Sequence, residues 1–342
     1  MKYFDAFSGI GGFALGINNA YETYYRLHSR QKWESSEEDN MENSRNDSRE
    51  LGTWGKHRPI CIGYSEINKY ASAVYQKHFP DHKNYGDITK IIAEDLPDFD
   101  LLVGGFPCQA FSIAGKRKGF NDTRGTLFFD LARILRAKKP RLFVFENVKG
   151  LLSHDNGQTF TTIIATLDEL GYDLQWQVLN SKNHGVPQNR ERVFIVGHLR
   201  GTPRPKVFPF GEDGGEINEL PRHISNTLTA RYEGAQAVGT YIGESKLNAQ
   251  EINQLNSPTH SNDRVYGTDG VSPTLNTMQG GNRQPFIAEQ MQIRRLTPIE
   301  CERLQGFPDG WTAGQSDTQR YKMCGNAVTT NVIRDIMSKI II

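Results

Sequence analysis

The chain has 342 residues, of which 37% are hydrophobic and 23% are charged, and this composition is typical of a globular protein with one large and one smaller domain. No run of about 18 apolar residues occurs, which excludes a membrane-spanning helix of ordinary length. The formal net charge is only +1, and a strand predicted directly after Met1 leaves no room for a signal peptide, so we expect a cytoplasmic protein.

Short apolar runs alternate with amphipathic stretches along the chain. Strands are predicted at residues 3–7, 60–65, 101–104, 141–145, 175–179 and 193–197. Helices are predicted between them, most clearly at 127–137 and 161–170. This alternation predicts an α/β fold with a parallel sheet, in which ligands bind beyond the carboxyl ends of the strands.

Three stretches depart from this pattern. Residues 34–50 carry seven acidic side chains and two arginines, and we predict a disordered insertion at 26–58, because so polar a segment buries too little apolar surface to offset the entropy of ordering it. Residues 201–290 lack helical periodicity, which predicts a smaller, loop-rich or β-rich domain. Residues 291–342 return to a helical pattern and are expected to pack back on the first domain, residues 1–200.

Charge is unevenly distributed along the sequence. Residues 111–206 contain 16 Lys and Arg against 8 Asp and Glu. This basic central third favours a nucleic-acid partner, although such an excess also occurs on ordinary solvated faces.

The four cysteines are scattered and form no Cys-x-x-Cys pair, which argues against a zinc site and against a disulfide framework. Cys61, Cys301 and Cys324 are expected to be reduced, buried thiols. Cys108 differs, because it lies in the sequence Gly-Gly-Phe-Pro-Cys-Gln directly after a predicted strand. We interpret Cys108 as a nucleophile that needs a neighbouring acid or base, and Glu146, which follows the next strand, is the candidate acid.

A glycine-rich loop follows the first strand. Residues 8–12 read Ser-Gly-Ile-Gly-Gly and open a predicted helix, where glycines let a ligand approach the backbone. The phosphate fingerprints G-x-G-x-x-G and G-K-T are absent, so nucleotide phosphate is disfavoured. Glu66 is a candidate for binding the ribose hydroxyl groups of a nucleoside-type cofactor, and Asp87 for binding its adenine amino group. Each acid is alternatively a helix cap or a surface charge.

Six segments, in this order, resemble the motifs of DNA cytosine-5 methyltransferases, and residues 105–140 are especially similar to the small bacterial HhaI-type enzymes. The segments are Asp5 to Gly12, Gly105 to Gln109, Glu146 to Val148, Gln188 to Arg192, Arg303 to Pro308, and Gly325 to Val328. The similarity covers nearly the whole chain except 26–58 and much of 201–290. It implies a doubly wound, mostly parallel sheet with the Rossmann-like fold of S-adenosylmethionine-dependent methyltransferases, and it implies that 201–290 is a target-recognition domain.

The resemblance also implies a mechanism. Cys108 attacks C6 of cytosine while Glu146 protonates or hydrogen-bonds N3, and the activated C5 accepts the methyl group of S-adenosylmethionine. Glu146 can act near neutral pH only if burial raises its pKa. Arg190 and Arg192 share one face of a strand, where they orient Glu146 and the base or hold a phosphate. The residues that fall at the family's cofactor contacts are Phe7, Ile10, Gly12, Glu66, Ile67, Asp87, Ile88, Pro107, Leu127, Asn326 and Val328.

A cytosine inside a duplex must be flipped out before a thiolate can reach C6. By resemblance, a loop after Cys108 closes over the flipped nucleotide and brings Lys116, Arg117 and Lys118 to backbone phosphates. His260, Ser261 and Asn262 are candidates for filling the vacated space in the duplex, and Arg264 and Thr274 are further candidate DNA contacts.

Two other functions stay open at this point. A related branch of the fold methylates cytosine in transfer RNA, and a catalytically silent protein on the same fold would only bind DNA. Under the main interpretation the partner is double-stranded DNA, a restriction endonuclease acting on the same site is a possible second partner, and the enzyme is expected to be a monomer. The recognised base sequence is not readable from the chain, because it depends on a few base-edge contacts in loops.

Overall fold

The computed structural model describes residues 1–34, 58–107, 127–210, 218–219, 254, 264–267, 270–275, 285–289 and 292–341. Its strands are β1 (Lys2–Ala6), β2 (Ile60–Ser65), β3 (Leu101–Gly105), β4 (Leu142–Val148), β5 (Tyr172–Asn180), β6 (Gln188–Asn189), β7 (Glu191–Leu199), β8 (Asn218–Glu219), β9 (Val265–Gly267), β10 (Ser272–Pro273), β11 (Phe286–Glu289) and β12 (Gln292–Arg295). Its α-helices are α1 (Gly12–Glu34), α2 (Lys69–His78), α3 (Leu127–Lys138), α4 (Gln158–Glu169), α5 (Pro298–Leu304), α6 (Asp317–Asn326) and α7 (Thr330–Ile341).

A seven-stranded sheet in the order β2-β1-β3-β4-β7-β5-β8 forms the centre of the molecule. β1 pairs in parallel with β2 and β3, and β3 pairs in parallel with β4. β7 lies antiparallel between β4 and β5, and β8 is antiparallel to β5. Five of these seven strands therefore run in one direction, and the predicted mostly parallel α/β fold is confirmed.

The reversed strand β7 is the main difference from the sheet that simple alternation predicts. Only residues 181–190 separate the end of β5 from the start of β7. A parallel pair needs a crossover of a dozen or more residues, whereas antiparallel neighbours can be joined by a shorter connection. The short connection therefore reverses β7, and this reversal places the first residues of β7 beside the last residues of β4.

Helices cover both faces of the sheet. Because successive side chains of a strand point to opposite faces, Leu102 and Phe143 pack on one face with α3 and α4. Leu101 and Val144, their neighbours in sequence, pack on the other face with α1 and α7. The fold is therefore doubly wound, as expected, and the first residues beyond the parallel strands are left free to form a site.

Helix α1 overlaps the start of the insertion predicted at 26–58. It continues to Glu34, so the structure describes residues 26–34 as helical. The physical reason is that residues 19–34 contain neither Gly nor Pro, so no residue in this stretch ends the helix. Residues 35–57 lie outside the described residues.

The C-terminal helix α7 packs along α1. The contact is close, because a Cβ atom added at Gly16 would lie 2.6 Å from Cβ of Ile333. Two smaller sheets accompany the main one: β10 pairs with β6, and β9, β11 and β12 form a three-stranded sheet. No helix in the part of the chain that the structure describes combines the length and apolar character needed to cross a membrane.

Candidate active site

The carboxyl ends of the parallel strands meet at one edge of the sheet. Ala6 at the end of β1 stands in register with Ser65 of β2 and with Gly104 of β3. The next residue of β3, Gly105, is in register with Glu146 of β4. The segments that follow β1, β2 and β3 therefore begin side by side, next to Glu146.

Glu146 is a buried carboxyl group held by an arginine. Its side chain is 13% exposed, and its Oε1 lies 3.1 Å from Nε of Arg192, whose side chain is 16% exposed. Gly105 provides the space beside it, because a Cβ atom at that position would lie 3.0 Å from Oε2 of Glu146. Burial raises the pKa of Glu146, and the charges of Arg192 and Arg190 offset part of this increase. The carboxyl group therefore holds a proton more readily than an exposed glutamate.

Asn147 connects β4 to the segment that leads to Cys108. Its side chain is 2% exposed, and its Nδ2 donates a hydrogen bond of 2.9 Å to the carbonyl of Phe106. Its Oδ1 accepts a hydrogen bond of 2.8 Å from the backbone N–H of Val148. The backbone directly before Pro107 is thereby tied to the strand that carries Glu146. Cys108 itself lies outside the described residues.

Arg190 makes different contacts from Arg192, which is bonded to Glu146. It precedes β7, is 2% exposed, and donates to the carbonyls of Leu275 at 3.2 Å, Gly325 at 3.1 Å and Ala327 at 2.9 Å. Burial and the nearby charge of Arg192 lower the pKa of Arg190 to about 9. The guanidinium of Arg190 is thus held by backbone carbonyls in the described part of the chain, and its contact with the base or a phosphate stays a prediction.

The glycine loop, residues 7–12, is held against the end of β2. Phe7, Gly9 and Gly11 have positive φ angles of 54°, 56° and 90°, a conformation that favours glycine. The backbone N–H of Ser8 donates to the carbonyl of Ser65 at 3.1 Å, and that of Gly9 donates to Oε2 of Glu66 at 2.9 Å. The loop thus bends sharply above β1 while its amides turn toward the second strand.

The predicted acids both have structural partners. Oε1 of Glu66 accepts a hydrogen bond of 2.6 Å from the backbone N–H of Asn68, and burial raises the pKa of Glu66. Oδ1 of Asp87 caps a short 3₁₀ helix by accepting from the N–H of Thr89 at 3.0 Å and from its hydroxyl at 2.8 Å. The helix-cap alternative is therefore correct for this oxygen of Asp87, whereas Glu66 lies directly at the edge of the loop.

The other predicted cofactor residues fall into exposed and buried groups. Ile67 is 77% exposed, and Pro107 and Asn326 are also exposed at this edge of the sheet. Val328 is 8% exposed and closes on Gly12, where an added Cβ atom would lie 2.7 Å from its Cγ1. The buried residues are Ile10 and Ile88, at 1% and 2% exposed, and Phe7 and Leu127 are partly buried against the same core as Ile88.

Of the predicted DNA contacts, the structure describes Arg264 and Thr274. Both are exposed. The hydroxyl of Thr274 donates a hydrogen bond of 2.5 Å to the carbonyl of Asn189, so it lies close to the start of β7. Lys116, Arg117, Lys118, His260, Ser261 and Asn262 lie outside the described residues.

Three cysteines of the described residues do not resemble nucleophiles. Cys61, Cys301 and Cys324 are free thiols. Burial raises the pKa of Cys61 and of Cys301 to about 12, and raises that of Cys324 as well. These thiols stay protonated near neutral pH. Cys301 and Cys324 are buried, as expected from the sequence, whereas Cys61 is only partly buried.

Sequence reasoning missed two residues that support the site. Asn147 was part of a recognised motif, and its position directly after Glu146 at a strand end was the available signal. Trp311 donates its indole N–H to the carbonyl of Ile10 at 2.9 Å from the far end of the chain. No local pattern announces this contact, because it joins residues 301 positions apart.

Comparison with known proteins agrees with this geometry. The family model of the C-5 cytosine-specific DNA methylases matches residues 1–342. The type II methyltransferase M.SsoII of Shigella sonnei is 43% identical over 295 residues, which cover 81% of this chain and 73% of that protein. The type II methyltransferase M.HhaI of Haemophilus parahaemolyticus is 38% identical over 294 residues, covering 81% and 86%.

A third relative extends the match over nearly the whole chain. The type II methyltransferase M.NlaX of Neisseria lactamica is 37% identical over 346 residues, covering 98% of this chain and 94% of that protein. Among solved structures, the Dnmt2 methyltransferase of S. pombe superposes with a TM-score of 0.62 at 18% identity, covering 99% of this chain and 97% of that one, and shows a common fold. The chain therefore belongs to the C-5 cytosine-specific DNA methylase family.

Proposed function

We propose that this DNA cytosine-5 methyltransferase acts through Cys108 as the nucleophile and Glu146 as the acid, on a cytosine flipped out of duplex DNA. The observation that carries the proposal is the buried Glu146 carboxyl, bonded to Arg192 and in register with Gly105, three residues before Cys108. A raised pKa is what an acid needs in order to protonate or hydrogen-bond N3 of cytosine near neutral pH. Arg192 orients this carboxyl group.

The chemistry requires both side chains because cytosine C5 is a poor nucleophile. The Cys108 thiolate forms a bond to C6 as N3 accepts a proton or hydrogen bond from Glu146, and the electron pair of the C5–C6 double bond becomes available at C5. When bound, S-adenosylmethionine supplies the electrophilic methyl group. A base then removes the C5 proton, the double bond re-forms, and the Cys108 thiolate leaves from C6. Asn147 ties the backbone of Phe106, two residues before Cys108, to the strand that carries Glu146.

The residues around the glycine loop fit S-adenosylmethionine, on which enzymes of this family generally depend. Glu66 offers carboxylate acceptors for ribose hydroxyl groups, and Ile67 and Pro107 offer exposed apolar surface for an adenine ring. The loop itself lacks the sequence of a phosphate site, and the cofactor carries no phosphate. Val328 approaches the loop at Gly12 from the C-terminal segment, and Asn326 is exposed two residues before it.

Sequence recognition belongs, in this proposal, to a target-recognition domain at 201–290, set between a catalytic domain at 1–200 and a returning segment at 291–342. Arg264 and Thr274 are exposed in this region and are therefore accessible to DNA. Thr274 is also bonded to Asn189, next to the start of β7. A DNA strand held by this domain thus lies close to Glu146 and Arg192. The protein acts as a monomer, since methylation of one base needs only one such site.

The relatives named type II methyltransferases suggest the biological setting. A type II enzyme is paired with a restriction endonuclease that cuts the same unmethylated site, so we propose such a partner here. The test is the neighbouring genes: an adjacent endonuclease whose cleavage is blocked by the methylated product supports the pairing, and DNA that stays cleavable after full methylation contradicts it.

The central experiment measures transfer of labelled methyl groups from S-adenosylmethionine to unmethylated duplex DNA, with the product base identified by mass. We expect 5-methylcytosine from the wild type and none above background from Cys108→Ser or Glu146→Gln. Cys61→Ser and Glu169→Gln are matched controls, because Cys61 is a protonated thiol and Glu169 is an exposed carboxylate at the end of α4. Both controls should retain activity.

Two results would contradict this proposal. Methylation of transfer RNA with no labelling of DNA would assign the chain to the RNA-modifying branch of the fold. DNA binding without labelling of either substrate would indicate a catalytically silent binder. If the DNA is labelled, bisulfite sequencing of the methylated product then identifies the recognised DNA sequence.

A further inference from the structure

Trp311 connects the C-terminal segment to the glycine loop. It lies between α5 and α6 and is 6% exposed. Its indole Nε1 donates a hydrogen bond of 2.9 Å to the carbonyl of Ile10, the residue between Gly9 and Gly11. Because both neighbours of Ile10 are glycines at positive φ, the loop has little rigidity of its own and depends on contacts from outside.

The backbone around Trp311 is fixed by a buried carboxylate. Glu302 of α5 is fully buried, and its two oxygens accept the N–H of Gly310 at 2.7 Å and the N–H of Thr312 at 2.9 Å. These are the residues on either side of Trp311. Arg320 of α6 compensates the buried charge with a hydrogen bond of 3.0 Å to Glu302. The indole therefore extends from a rigid turn.

His78 holds the other face of the indole. The two rings stack with their centroids 3.5 Å apart and an angle of 5° between their planes, and Nε2 of His78 lies 2.7 Å from the carbonyl of Trp311. Since a carbonyl only accepts, Nε2 carries the proton of this bond. His78 is the last residue of α2, and α2 begins directly after Glu66, Ile67 and Asn68.

Trp311 thus contacts the glycine loop directly and contacts the C-terminal end of α2, the helix whose start follows the segment 66–68. One contact reaches the glycine loop at Ile10, and the other reaches, through His78, the helix that follows Glu66. We propose that Trp311 is a positioning residue that fixes the glycine loop relative to the segment 66–68 and thereby sets the affinity for S-adenosylmethionine. It does so without touching the reacting atoms, and this inference rests on the proposed function.

The test is Trp311→Phe, which keeps an aromatic ring over His78 but removes the N–H that bonds Ile10. Loss of one hydrogen bond between neutral groups predicts an increase in the Kd and KM for S-adenosylmethionine of roughly two- to tenfold. The kcat at saturating cofactor and the KM for DNA should stay within about twofold, because Glu146 and Arg192 are not disturbed. Calorimetric titration of S-adenosylmethionine gives the Kd independently of methyl transfer.

Trp176→Phe is the matched control. Trp176 of β5 packs edge-on against Phe160 on the opposite side of the sheet from α1, with ring centroids 5.0 Å apart. This variant removes an indole N–H elsewhere in the fold and should leave the Kd for S-adenosylmethionine unchanged. A cofactor Kd that is unaltered in Trp311→Phe, or an equal increase in Trp176→Phe, would overturn the inference.

A second variant covers the case in which Trp311→Phe fails to fold. His78→Phe keeps the ring stack and removes only the bond to the Trp311 carbonyl, so a smaller increase in the same Kd is expected, and an unchanged Kd would overturn the inference. The failure of the proposed function is a different result. If the wild-type protein neither binds S-adenosylmethionine nor methylates DNA, the cofactor assignment itself is wrong.

Discussion

The imidazole of His198 should make the folded state sensitive to mild acid. His198 lies in β7, is 1% exposed, and neither of its ring nitrogens has a hydrogen-bond partner among the described residues. Burial and then the nearby charge of Arg204 lower its pKa from 6.5 to about 4. The folded protein therefore holds this side chain neutral at a pH where the unfolded chain protonates it.

The sign and size of the effect follow from these two pKa values. Above pH 6.5 the side chain is neutral in both states and has no effect on the pH dependence of stability. As the pH falls from 6.5 toward 4, only the unfolded chain binds the proton, so stability decreases, and it levels off once the folded state is protonated as well. The total loss is about 3 kcal/mol, of which about 2 kcal/mol falls between pH 7 and pH 5.

Urea unfolding at about pH 7 and about pH 5 measures this loss. The free energy of unfolding of the wild type should be lower at about pH 5 than at about pH 7. We expect this difference to be about 2 kcal/mol smaller in His198→Leu. Val196→Ala is the control, because Val196 is fully buried on the same face of β7 and does not titrate. That variant should lower stability equally at both pH values. If His198→Leu and the wild type lose the same free energy on acidification, the assigned burial penalty is wrong.

Two further substitutions test packing at the site and in the sheet. Asn147→Ala removes the bond to the Phe106 carbonyl, and a displaced nucleophile segment should lower kcat by about 10- to 100-fold while the Kd for S-adenosylmethionine, measured calorimetrically, stays unchanged. Gly197→Ala places a methyl group 2.0 Å from Cε1 of the buried Phe143, and it should lower the free energy of unfolding by about 1–3 kcal/mol or more in urea titrations. Gly150→Ala, with open space at its Cβ position, is its control, and equal stability of the two variants would contradict the overpacking argument.

The site combines two parts of the chain with different tasks. The carboxyl ends of β1 to β4 carry the predicted chemistry, and the segment after β12 supports them from behind. Arg190 shows this support most directly, because its buried guanidinium bonds to the carbonyls of Gly325 and Ala327 in that segment. Arg190 and Arg192, two positions apart in the sequence, therefore make different contacts in the described structure.

The sequence by itself determined the local elements and the chemistry at their ends. Apolar runs that alternate with amphipathic stretches predicted the strands that became β1 to β4. The same pattern predicted that Glu146 and Cys108 follow two successive strands. Such features depend on neighbours within a few residues, where propensity and alternation are informative. The family assignment came from the sequence motifs, and the comparisons confirmed it.

Tertiary structure decided which side chains meet. The length of the connection 181–190 reversed β7 and brought Arg192 to Glu146, and the absence of a helix-breaking residue carried α1 to Glu34. The bond from Trp311 to Ile10 and the enclosure of Arg190 depend on contacts between distant parts of the chain. Such contacts form only when separate elements pack together, so no periodicity within one segment encodes them.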